Sequence, residues 1–249
     1  MRLDTLFRSY ARTALDLVLP PLCLGCREQV RDPGTFCPKC WAQLHFIGKP
    51  QCPQCGTPFP HEVAPGLRCA PCLASPPPYT AARACWHYGD AAAAAIIAFK
   101  HADRMEHAQA LARHMLRVGA ELLAPPDTCV VPVPLHWRRL WQRGYNQAAL
   151  LARLIARMAG RPAVLDALQR KRATASQQGL NKQARTRNVA RAFAVNPARR
   201  GKLAGASVVL IDDVFTTGAT VDACCQALLR AGIRDVRVLT IARVLDEKR

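Results

Sequence analysis

Two groups of residues in this chain have the types and spacing to do chemistry. The first is an adjacent carboxylate pair, Asp212 and Asp213, which runs into Thr216-Thr217-Gly218-Ala219-Thr220. Carboxylate oxygens accept hydrogen bonds from vicinal sugar hydroxyls but repel phosphate. Small residues with free N–H groups and hydroxyls at the start of a helix do the opposite and hold an anion. Side by side, the two point to a ribose 5-phosphate. Gly218 lets the backbone approach a phosphate with no Cβ in the way. No Gly-Lys-Ser/Thr follows, so this is not a Walker loop, and the dinucleotide fingerprint is absent as well.

The second group is eight cysteines in four Cys-x-x-Cys pairs: Cys23/Cys26, Cys37/Cys40, Cys52/Cys55 and Cys69/Cys72. Two thiolates in one tight turn reach the same tetrahedral zinc, and a second turn completes the site. Two structural Zn2+ ions are therefore expected. Sequential pairing and a cross-braced arrangement both satisfy the spacing. His45 and His61 lie nearby, but eight thiolates leave no ligand position for them. With no export signal, a disulfide framework is the weaker reading.

The acidic pair needs a buried strand to carry it, and Val208-Val-Leu-Ile211 reads as one, apolar throughout and rich in β-branched side chains. The helix after it places Val221, Cys225, Leu228 and Leu229 on one face. Further strands are expected over 84–88 (an edge), 128–133, 192–195 and 236–242. Helices are expected over 91–100, over about 104–123 with Leu111, Met115, Val118 and Leu122 inward, and after 144–147 with Leu151, Leu154, Ile155 and Met158 inward. His101, His107 and His114 read as surface residues, and Cys85, Cys129, Cys224 and Cys225 as small buried ones. The chain divides into an amphipathic helix in residues 1–20, a cysteine module in 21–74, a Pro-rich linker in 75–80 and an α/β body in 81–249.

With 249 residues, half of them hydrophobic, the chain can build a sizeable core. Its formal net charge of +18 and pI near 10.0 point to a polyanionic partner. Between Arg138 and Lys202 there are sixteen Lys/Arg against one acid, Asp166. Residues 170–188 lack a continuous apolar face and read as a basic arm that orders on an anion. No apolar run is long enough to span a membrane. Asp4, Arg8, Arg12 and Asp16 interrupt any signal-peptide core.

The stretch from Val208 to Thr220 resembles the phosphoribosyl diphosphate (PRPP) motif of type I phosphoribosyltransferases. Three further features join it: Pro132-Val133-Pro134, Arg143-Gly144-Tyr145-Asn146-Gln147, and the series Arg172, Thr174, Gln177, Leu180, Arg185 and Asn188. With the four cysteine pairs, they resemble the competence-associated ComF/GntX-type proteins along nearly the whole chain. The resemblance implies a phosphoribosyltransferase-like parallel sheet flanked by helices, preceded by a double zinc ribbon. It implies that Asp212 and Asp213 take the ribose, Thr216 to Thr220 the 5-phosphate, and Pro132 and Val133 the diphosphate, which arrives with Mg2+. Lys171 and Arg172 join the acidic pair as catalytic candidates, and Lys100 and Arg143 are further cations for a departing diphosphate.

The same resemblance implies a role in handling imported single-stranded DNA during natural transformation, and the expected location is the cytoplasm, either free or peripheral at the inner face of the membrane. Arg143, Arg172, Lys182, Arg185 and Arg187 are the candidate phosphate contacts, and Trp41, Phe46, Trp137, Trp141 and Tyr145 the candidate stacking residues. Three functions stay open at this point. One is a phosphoribosyltransferase whose acceptor the sequence does not reveal. A second is a single-strand-binding protein built on that fold, and a third is an adaptor that docks on a DNA-uptake helicase or channel.

Overall fold

The structure is a computed structural model that describes residues 20–101, 105–135, 141, 144–171 and 192–245. The expected N-terminal helix lies outside these residues, as do Trp137, Arg138, Arg139, Arg143, Arg172, Lys182, Arg185 and Arg187. Two short helices, α1 (Pro38–Ala42) and α2 (Ala70–Ala74), each follow a ligand-type cysteine and carry proline in the first turn. Proline is tolerated there because its missing N–H would have no helical partner. Then come β1 (Ala81–His87), α3 (Asp90–His101), α4 (Met105–Leu123), β2 (Thr128–Pro132) and α5 (Gln147–Ala159). The chain continues through β3 (Leu168–Arg170), β4 (Phe193–Val195), α6 (Arg200–Leu203), β5 (Ser207–Phe215), α7 (Ala219–Arg230) and β6 (Asp235–Arg243).

Four strands form one parallel sheet in the order β1-β6-β5-β2. β5 is central, and its alternation explains its unbroken apolar run. Val209 and Ile211 pack with Leu111, Met115, Leu151 and Ile155 of α4 and α5, while Val208 and Leu210 pack with Val221, Cys224 and Leu228 of α7. A strand covered on both faces has no polar side to show. Each of these fully buried aliphatic side chains contributes about 1.5–3 kcal/mol of transfer free energy.

Most expected elements form where the pattern placed them, including the edge strand β1 and the buried Cys85, Cys129, Cys224 and Cys225. Three details differ. His107 is buried, because it sits four and eight residues before Leu111 and Met115 on the inner face of α4, and His114 is half-buried on the same helix. Met158 and Leu229, each in the last turn of its helix, are 40% and 37% exposed. β3 was not expected, since three residues reading Leu-Gln-Arg show no alternation. It pairs antiparallel with β4, Leu168 opposite Val195, and so brings together the two ends of the segment that contains the basic arm.

The cysteine module shares its core with the sheet. Leu24 and Phe36 pack in one cluster with Trp86, Phe99 and Leu111. Phe46 bridges Trp86, and the Ile47 N–H donates to the Cys85 carbonyl at 3.0 Å. The outer edge of β1 is thereby covered, which removes an open pairing edge.

Candidate functional site

The carboxylates lie near the C-terminal end of β5, the edge where ligands sit in open parallel sheets. Strand alternation sends Asp212 toward α7 and Asp213 toward α3, so the two acids straddle the strand. The Asp213 N–H donates to Asp212 Oδ1 at 2.9 Å, and the Val214 N–H donates to Asp213 Oδ1 at 2.7 Å. Burial, and after it the Asp213 charge, push the Asp212 carboxyl well above the ordinary carboxylate range. Lys100, at the end of α3, sets its ammonium 2.5 Å from Asp213 Oδ2. A cation already sits in the acidic pair and offsets part of its repulsion toward a phosphorylated ligand.

The loop that follows turns at Gly218, whose φ of +82° suits glycine. A Cβ there would stand 3.1 Å from Phe215 Cζ. Gly218 is the N-cap of α7, a twelve-residue helix, and has no side chain to cap it, so the positive end of the helix dipole faces the loop. The Thr217 hydroxyl is buried with no hydrogen-bond partner among the described residues. A buried orphan hydroxyl beside an uncapped helix start is the chemistry of an anion site.

Around this centre, Val133 is tied down from both sides. Its N–H donates to the Ile211 carbonyl at 2.9 Å, and Asn146 Nδ2 donates to its carbonyl at 3.1 Å. Asn146 also caps α5 through Oδ1. Tyr145 donates its hydroxyl to the Phe99 carbonyl at 2.7 Å, fixing the turn that carries Lys100. Pro132, Val133, Lys100 and the acidic pair thus gather at one edge of the sheet. Lys171 is exposed just past β3, its N–H donating to the Ala192 carbonyl at 2.8 Å.

The eight cysteines resolve into two clusters, Cys23/Cys26/Cys37/Cys40 and Cys52/Cys55/Cys69/Cys72, with the Sγ atoms of each within 4.8 Å of one another. The pairing is sequential and not cross-braced. Around zinc, with Zn–S near 2.3 Å, tetrahedral sulfurs stand about 3.8 Å apart, so both clusters fit the ion. N–H groups point at the sulfurs: Gly25 and Cys37 donate to Cys23, and Cys69 donates to Cys52. Burial raises the Cys23 thiol, but N–H donors from Cys37, Cys26 and Gly25 outweigh it and hold the group at about 6. Burial and the neighbouring thiols push Cys40 up to about 12. Four thiolates are crowded where only a divalent cation would let all of them ionise.

Similarity to known proteins follows the same division. The double zinc ribbon domain matches residues 14–73, and the phosphoribosyl transferase domain matches residues 145–249. DNA utilization protein YhgH of Escherichia coli strain K12 is 35% identical over 238 residues, covering 92% of this chain and 100% of that protein. The chain belongs to the ComF family. Competence protein F of Haemophilus influenzae is 27% identical over 239 residues, covering 94% of this chain and 95% of that one. Among solved structures, an allosteric regulatory enzyme of purine biosynthesis is 21% identical, with a TM-score of 0.38 over 58% of this chain and 30% of that one. By its two domain matches, this ComF-family chain joins a zinc ribbon pair to a phosphoribosyltransferase-type sheet, and among the described residues no helix is long and apolar enough to cross a membrane.

Sequence reasoning missed one connection between the two parts. Arg243, at the end of β6, is buried and donates from Nη1 to the carbonyl of Cys55. Its guanidinium lies 4.9 Å from the Phe215 ring centroid, and Phe215 is the residue that a side chain at Gly218 would strike. The Ala82 N–H donates to the Gln54 carbonyl at 2.7 Å, and Arg83 Nη1 donates to the Pro53 carbonyl at 3.0 Å. The second ribbon is thus bonded to the start of β1 and, through Arg243, to the end of β6 beside Phe215. Cys55 and Arg243 are 188 residues apart, and no local pattern signals their contact.

Proposed function

We propose that this chain binds PRPP with Mg2+ at the β5–α7 loop and handles single-stranded DNA, a role in keeping with relatives named for DNA utilization and competence. The observation that carries the ligand reading is the acidic pair at the end of β5 beside an uncapped α7 with a buried, unpartnered Thr217 hydroxyl. Asp212 and Asp213 accept from the ribose hydroxyls, and residues 216–220 donate to the 5-phosphate. Pro132 and Val133 border the diphosphate, and Mg2+ would supply charge neutralisation to its oxygens. Lys100, Lys171, Arg143 and Arg172 are the cations assigned to that end. The domain limits that go with this reading are a ribbon module in 21–74, a linker in 75–80 and a ligand-binding body in 81–249.

Binding, rather than transfer to a defined acceptor, is the activity we assign, because Lys100, Pro132, Val133 and the acidic pair gather at one edge of the sheet and, among the described residues, none marks an incoming nucleophile. For DNA, the support is the net charge of +18 and the basic arm with Lys182, Arg185 and Arg187. A DNA-uptake helicase or channel is the partner class that fits this role, and the inner face of the cytoplasmic membrane the place.

Titration calorimetry of the zinc-loaded protein with PRPP and Mg2+ tests the ligand reading. Saturable binding is expected. Asp212→Ala with Asp213→Ala should weaken it by at least about a hundredfold, since the pair supplies several acceptor oxygens and a hydrogen bond to a charged one contributes roughly 1.5–3 kcal/mol. That variant should keep its affinity for a labelled single-stranded oligonucleotide, whereas Arg185→Ala with Arg187→Ala should lose DNA affinity and keep PRPP. Loss of both ligands in both variants would contradict two separate sites.

A further inference from the structure

The first ribbon presents two large aromatic side chains on its outside. Trp41 and Phe46 are each 48% exposed, with ring centroids 5.0 Å apart and planes at 51°. Their backbones are held firmly. Trp41 follows the ligand-type Cys40 inside α1, and Phe46 bridges Trp86 on β1. Behind them, the fully buried Trp86 ring stands 6.3 Å from Phe46 and edge-on to it. His114 lies 6.3 Å from Trp41 and 5.3 Å from Trp86. Burial, and then the Arg117 charge, lower the His114 pKa, so the imidazole that backs Trp41 is an uncharged ring at neutral pH.

Cations flank this pair along the chain and lie on α4, the helix that carries His114. Lys39 and Lys49 are exposed on the ribbon itself, and the sequence between them contains no acid. Arg113 and Arg117 are exposed on α4, one and three residues from His114, and residues 107–120 contain no acid either. An exposed apolar pair for a protein partner would not need flanking cations, whereas a polyanion with flat apolar faces needs both. Unpaired nucleobases on a phosphate backbone have those two properties, and duplex DNA hides the faces.

We propose that Trp41 and Phe46, with Lys39, Lys49, Arg113 and Arg117, form a stacking platform for the unpaired bases of single-stranded nucleic acid. The proposal rests on the DNA-handling reading and gives it a place outside the basic arm. The ribbon holds the rings at fixed orientation, so little side-chain freedom is lost when a base stacks.

The test uses the full-length, zinc-loaded chain and a labelled oligothymidylate across a salt series. Trp41→Ala and Phe46→Ala should each weaken binding about tenfold, within the range for loss of one stacked base. Because stacking releases no counterions, the slope of log affinity against log salt should not change. Arg113→Ala with Arg117→Ala should instead make that slope shallower by about 1.4, at roughly 0.7 per phosphate on a single strand. Trp41→Phe, which keeps a ring, should restore most of the affinity, and zinc content should match wild type in every variant. Wild-type affinity in the Trp41 and Phe46 alanine variants would overturn the platform and leave the DNA reading standing. Failure of the wild type to bind the oligonucleotide at low salt would remove both. If Trp41 is shielded from a soluble quencher in the full chain and exposed in a chain without residues 1–19, the chain's own N-terminus occupies the face and the platform is wrong.

Discussion

Stripping zinc from the second ribbon is expected to abolish PRPP binding, although none of its cysteines lies in the ligand site. The route is physical. The Cys55 carbonyl accepts from Arg243, the Arg243 guanidinium covers Phe215, and Phe215 packs under Gly218 at the turn of the phosphate loop. Tyr79 meets the same Phe215 ring edge-on at 6.2 Å. Without metal, the four sulfurs lose the ion that joins them, and the turn that aims the Cys55 carbonyl loses its anchor. A structural zinc contributes about 10–16 kcal/mol of apparent binding free energy, comparable with the whole stability of a domain. Cys52→Ser should therefore halve the zinc content, lower the melting temperature by more than about 10 °C and reduce PRPP affinity below detection. Arg243→Met separates the two effects. It should keep both zincs, as read by metal analysis, and lose about tenfold in PRPP affinity. Undiminished PRPP binding in the Cys52→Ser variant would show that ribbon and loop are independent.

Gly218→Val is the second change with a large expected effect. Its φ of +82° is costly for any residue with a Cβ and more so for a β-branched one. The new Cβ would also stand 3.1 Å from Phe215 Cζ, tight enough that the ring or the loop must give. A destabilisation of about 1–3 kcal/mol is expected from backbone strain. The larger consequence falls on binding, because the N–H groups at the start of α7 would turn away from the phosphate. Urea unfolding and PRPP titration together check this. A Gly218→Val protein with wild-type affinity would mean that the phosphate sits elsewhere. Gly218→Ala should fall between the two.

The sheet and its ligand edge were legible for a specific reason. Val208-Val-Leu-Ile211 is apolar on both faces and ends in two adjacent acids and a Thr/Gly loop, a combination that a plain strand–helix turn does not require. The eight cysteines were equally plain as metal ligands, but spacing alone admits both pairings, and only the folded chain, with the first ribbon bridged to Trp86 and the second bonded to Ala82, separates the clusters. What escaped the sequence depends on distance along the chain or on the ends of elements. β3 is too short to show a period. His107 is polar but lies on the helix face set by Leu111 and Met115. Met158 and Leu229 fall in last turns, where the inward face runs out. Lys100 stands out in the sequence only by its place at the end of an alanine-rich helix, which says nothing of its contact with Asp213. Arg243 looks like an ordinary strand-end arginine, yet it joins the zinc module to the phosphate loop.

The most direct measurement compares ribose 5-phosphate with 2-deoxyribose 5-phosphate by calorimetry. Wild-type protein is titrated beside the Asp212→Ala, Asp213→Ala double variant. The two ligands share the phosphate and differ by one hydroxyl, which the acidic pair is held to read. Wild-type protein should prefer the ribose form by about ten- to a hundredfold, the range for a hydrogen bond to a charged acceptor. The double variant should bind both weakly and equally. Equal affinities in the wild type would contradict the assignment of Asp212 and Asp213 to the sugar.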